Sequence, residues 1–124
     1  MEIVRFKNFQ IKAALVILGA LAGYPTIIAG LVAESLIKNP DASRIIEVHE
    51  KFAISTIVIF SLIAADYLWA IYRKDYIVRY TKVIWILALL GFICVMTTGA
   101  LGGSIVYGTT NDPVTGWIYH LFFK

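Results

Sequence analysis

The sequence is poor in the residues from which most soluble active sites are built. It contains a single cysteine. Cys94 lies inside an apolar run, so no intrachain disulfide can form, and it reads as a small core residue. With no CxxC and no CxxCH, neither a zinc knuckle nor covalent c-type haem attachment is available. Only 15% of the residues are charged. They form no paired carboxylates, no phosphate loop and no Ser/His/Asp set that one topology could gather, and there is no nucleophile elbow. That removes hydrolases and transferases. The formal net charge is +3, yet the basic residues flank apolar stretches and read as topology signals rather than as a nucleic-acid surface.

What is abundant is hydrophobicity. At 60% hydrophobic residues, the chain lies outside the range of ordinary soluble domains. Its 124 residues make one domain, an all-α integral membrane domain over residues 1–124. Three spans are expected, at about 13–33, 50–72 and 83–106, each long enough to cross the hydrocarbon core. The first is longer than the h-region of a secretory signal, so it reads as a retained helix. Pro25 is expected to kink it. Gly19, Gly23 and Gly30 fall along one stripe, its expected packing face.

Asn39-Pro40 and Asp112-Pro113 each pair an N-cap residue with a first-turn proline. The second helix should therefore start at Pro40, before the membrane. A short interfacial C-terminal helix should run over about 113–123, too short to span a bilayer at 1.5 Å per residue. At the start of the second helix, Ile45, Ile46, His49, Phe52, Ala53, Thr56 and Phe60 share one side. Arg44, Glu47, Glu50 and Lys51 share the other. His49 is thus inside the apolar stripe. Asp66, near the far end, is expected to pair with Arg73. Of the 11 Lys and Arg residues, Arg5, Lys7, Lys12, Arg73, Lys74, Arg79 and Lys82 fall on the N-terminal side. The positive-inside rule then places the N-terminus in the cytoplasm and the C-terminus outside.

The third span ends in Thr97-Thr98-Gly99-Ala100-Leu101-Gly102-Gly103-Ser104-Ile105-Val106-Tyr107-Gly108. Gly99 and Gly103 share a helical face, with Gly102 beside it. Glycine costs about 1 kcal/mol against alanine in a helix, so something should approach the backbone closely. Two readings compete: a neighbouring helix on a small-xxx-small surface, or a flat cofactor lying on the glycines. Both histidines, His49 and His120, fall on the same outer side as this cluster. Two neutral imidazoles on separate helices can ligate haem iron, and a glycine wall admits the macrocycle. The candidate cofactor set is therefore His49 and His120 as iron ligands, with Gly99, Gly102, Gly103 and Tyr107 around them, holding haem b. Zinc would want a fuller set of ligands. The competing role for His49 is a hydrogen-bonded packing residue, satisfied by Thr56 or a backbone carbonyl. His120 projects about 130° from the centre of the stripe Val114, Trp117, Ile118 and Leu121. Tyr107, Trp117, Tyr119 and His49 could alternatively form a quinol pocket at the outer interface.

Three stretches carry a resemblance: Ala29-Gly30-Leu31-Val32-Ala33-Glu34, then His49-Glu50, then Thr98-Gly99 through Val106-Tyr107. Together they resemble a family of small bacterial membrane domains of unknown function. Its members usually have four helices and are thought to bind b-type haem or to serve redox systems. The resemblance covers roughly residues 19–108, and only His49 is carried over by motif. The family's opening HPxxVHFP-like helix is not found here, and Gly108-Thr109 stands where the family tends to have His-Gly. The resemblance implies a small redox-associated subunit in an inner membrane of bacterial type. A cofactor-free accessory subunit of a respiratory or photosynthetic complex is the alternative. In either case other membrane subunits and the lipid bilayer are the expected partners.

Overall fold

A computed structural model describes residues 2–38, 40–107 and 113–123. It contains four helices: α1 (Glu2–Leu36), α2 (Pro40–Tyr72), α3 (Thr81–Tyr107) and α4 (Pro113–Phe123). No strand occurs among the described residues. The first three helices are long and apolar enough to cross a membrane, and α4 is the short C-terminal helix expected from the sequence. Both proline-marked starts hold, since α2 begins at Pro40 and α4 at Pro113. Asn39 and the Gly108–Asp112 turn, which the sequence pattern also singles out, lie outside the described residues.

α1 begins eleven residues earlier than the span expected from hydropathy, at Glu2 instead of residue 13. Tertiary packing explains the extension. Phe9 is buried and its ring lies 5.3 Å from that of Tyr67 and 5.8 Å from that of Tyr76; Phe6 meets Tyr76 edge-on at 4.7 Å. An amphipathic first turn that finds an aromatic seat gains enough buried apolar surface to stay helical outside the membrane. The helix also continues through Pro25.

α2 is the centre of the array. Phe9 and Ala13 of α1 meet Ile63, Tyr67 and Ala70 of α2 in a buried cluster. Ile84, Leu87 and Ala88 of α3 pack against the same cluster. Among the described residues the helix contacts run α1 to α2, α2 to α3 and α3 to α4, with no Cα pair between α1 and α3 within 8 Å. Tyr24 of α1 and Ser61 of α2 share a hydrogen bond of 2.9 Å. Closest approach depends on two glycines. A Cβ on Gly23 would collide with the Ile57 side chain, and one on Gly91 would lie 2.9 Å from Phe60 Cε2. Small residues at such crossings let membrane helices gain dispersion contacts that lipid cannot supply.

The α2–α3 connection turns through two left-handed residues, Lys74 (φ 57°) and Tyr76 (φ 51°). Lys74 N–H donates to the Ile71 carbonyl at 3.0 Å, closing the end of α2. Here one expectation is corrected. Arg73 pairs with Asp75 at 2.8 Å and not with Asp66, whose Oδ2 is buried without a hydrogen-bond partner. The turn brings Asp75 to the guanidinium from beyond the helix, a geometry that periodicity on α2 alone does not reveal.

Candidate functional site

The expected site lies where α2 starts and α3 finishes. His49 is half-buried on α2. Its Nδ1 is 3.0 Å from the Thr98 carbonyl oxygen on α3. A carbonyl can only accept, so Nδ1 carries the proton and Nε2 keeps its lone pair. Thr56, the other candidate partner, is engaged elsewhere: its hydroxyl donates to the Phe52 carbonyl at 2.8 Å.

The glycine cluster divides its work. Gly102 makes room for the imidazole itself, because a Cβ there would lie 3.3 Å from His49 Cε1 and 3.7 Å from Nδ1. Gly99 has nothing within 4 Å of the position a Cβ would take. It opens instead onto a cavity of about 420 Å³ shared with Gly19, Gly23, Ala53, Thr56 and Thr98. Gly103 is half-buried one residue beyond Gly102. The buried hydroxyls nearby are satisfied within α3. Thr97 donates to the Ile93 carbonyl at 2.9 Å, Thr98 to Cys94 at 2.8 Å and Ser104 to Ala100 at 3.0 Å. Such back-bonding removes the cost of a hydroxyl in a medium without water.

α4 approaches this end through its last turn. Phe122 meets Phe52 at 5.3 Å between ring centroids, and Arg44 lies over the Phe123 ring at 5.5 Å. Phe52 is one turn from His49 on the same face, which brings the helix carrying His120 to the neighbourhood of the site. The His120 side chain itself is exposed, in keeping with its angle off the apolar stripe. Of the quinol set, Trp117 is exposed and His49 faces α3, while the side chains of Tyr107 and Tyr119 lie outside the described residues. Among the described residues no group of three or more His, Cys, Asp or Glu side chains is placed to hold a metal ion.

A second concavity occupies the other end of the array, about 830 Å³ between α1 and α3 with α2 as its floor. Sequence reasoning did not find it, because it depends on α1 remaining helical from Glu2. Its signal was present, however: Arg5, Phe9, Lys12 and Val16 recur at helical spacing. Compared with known family models, curated proteins and solved structures, the chain matches none.

Proposed function

We propose that this chain is a small redox-associated subunit of a larger membrane electron-transfer complex, in an inner membrane of bacterial type. His49 supplies one axial nitrogen to a b-type haem at the end of the array where α2 begins. The observation that supports this reading is the tautomer of His49. Its Nδ1–H is held by the Thr98 carbonyl at 3.0 Å, which leaves Nε2 unprotonated and available to a metal. Metal-binding histidines commonly donate their other ring N–H to just such an acceptor. The donor set fits half of a haem site: one oriented imidazole, and at Gly99 a stretch of helix with no neighbouring atoms within 4 Å. The second axial ligand comes from His120 or from a partner subunit. When bound, haem would supply one-electron transfer; this chain fixes the imidazole and lines the approach.

A reduced-minus-oxidised absorption spectrum of the protein purified with its native partners tests the reading. A low-spin b-type spectrum is expected, abolished or converted by His49→Ala and partly kept by His120→Ala. A colourless complex, or a full spectrum in His49→Ala, overturns it.

A cofactor-free accessory subunit is the second reading, and a specific observation favours it. The His49–Thr98 bond, seated against Gly102, is by itself a fastener between α2 and α3. Moreover, only 6% of the apolar window of α1 is buried within the chain, and at Gly19, Gly30 and Gly99 nothing lies within 4 Å of where a Cβ would stand. Those surfaces suit partner helices. Stable co-purification with another membrane protein is expected under both readings.

A further inference from the structure

We propose that the groove between α1 and α3 at the basic end of the array binds one anionic phospholipid. Its headgroup sits at Arg5 and Lys12, and an acyl chain lies along the groove.

The argument starts from depth. α1 has 35 residues, about 52 Å at 1.5 Å each, against a hydrocarbon core of about 30 Å. With residues 13–33 in the core, Arg5 and Asn8 stand at headgroup level and Lys12 at the boundary. All three line the groove, which then continues along Val16, Phe60 and Ala88. One end is therefore polar at headgroup depth and the other apolar at acyl depth, the profile of an amphiphile.

Charge selects the class of amphiphile. Among the described residues the ion pairs are Lys51 with Glu47 and Arg73 with Asp75, so neither Arg5 nor Lys12 has a carboxylate partner. Asp75 also lines the groove but is neutralised by Arg73 at 2.8 Å. Glu2 is the remaining carboxylate there, one turn from Arg5, and leaves the pair of cations in excess. A neutral quinone or a zwitterionic lipid would give them no net counter-charge; a phosphodiester of an acidic lipid does, and basic clefts between membrane helices are suited to it. Trp85 and Tyr76 on the rim add the aromatic groups that favour headgroup depth.

The test is native mass spectrometry of the whole chain in mild detergent, supplemented in turn with phosphatidylglycerol and with phosphatidylcholine of the same acyl chains. Phosphatidylglycerol is expected to be retained several-fold more, as a single adduct. Arg5→Gln and Lys12→Gln should each lower that retention about fivefold, the scale of one basic residue near an anionic surface. Lys7→Gln removes the same charge from the same helix outside the groove and should change little. Ala88→Leu, which fills the apolar end, should weaken retention of the lipid with Arg5 and Lys12 intact; circular dichroism confirms that each variant is folded. Equal retention of the two lipids overturns the proposal and leaves a partner protein as the occupant of the groove. An effect of Lys7→Gln equal to that of Arg5→Gln also overturns it, by showing diffuse attraction without a site.

Discussion

Enlarging residue 102 places a side chain where the His49 ring now lies. For Gly102→Ala two terms oppose each other. Alanine gains about 1 kcal/mol of helix propensity over glycine. Its Cβ would stand 3.3 Å from His49 Cε1, so the ring must yield by a few tenths of an ångström and the 3.0 Å bond to Thr98 lengthens. Even complete loss of that bond would cost only about 0.6 kcal/mol, the average for polar contacts between membrane helices. Gly102→Ala should therefore stay within about 0.5 kcal/mol of the parent. Gly102→Leu is different, because the imidazole has to leave. Overpacking of about 1–3 kcal/mol and the lost bond outweigh the helix-propensity gain, for a net loss of about 1–3 kcal/mol. In a His49→Ala background the space is already vacant, and the Leu substitution should cost less than half as much. Unfolding in mixed micelles titrated with dodecyl sulfate, followed by far-UV circular dichroism, measures all four corners of the cycle. The same cost for Gly102→Leu in both backgrounds would refute the contact between Gly102 and His49.

Three further outcomes are expected. A Cys94→Ala, Lys124→Cys variant should be labelled by an impermeant maleimide in intact spheroplasts; labelling only after lysis would reverse the orientation inferred from the Lys and Arg distribution. Lys74→Gly should raise stability by about 1 kcal/mol, since the φ of 57° costs an L residue about that much and glycine nothing; no gain in the same micelle titration would count against strain at this turn. Gly91→Ala should destabilise by about 1–2 kcal/mol through its contact with Phe60, and Phe60→Leu in the same chain should recover part of the loss; an unchanged unfolding midpoint in Gly91→Ala would show that α2 and α3 do not meet there.

The spans, the Pro40 and Pro113 starts and the inward face of His49 were all readable from the chain, because each depends on local pattern: hydropathy, caps and helical spacing. What was not readable depends on who sits opposite. Gly91 lies in a uniformly apolar run and has no periodicity to mark it, although Phe60 makes it a crossing point. Gly99 and Gly102 look equivalent in sequence, but one faces a cavity and the other an imidazole. The partner of Arg73 was decided by the left-handed turn at residues 74–76, which moves Asp75 into reach ahead of Asp66. The first turns of α1 look too polar to be held, until Tyr67 and Tyr76 are seen to receive Phe6 and Phe9.

The backbone contacts run only between consecutive helices among the described residues, and this bears on how the molecule comes into being. Each helix, on leaving the ribosome, meets as its nearest neighbour the one with which it will remain. No later helix has to be threaded between two earlier ones, and each hairpin closes across a short connection at small entropic cost. α1 waits alone in the bilayer until α2 arrives. From then on assembly proceeds in the order of synthesis, with His49 reaching its carbonyl only when the last turns of α3 have entered.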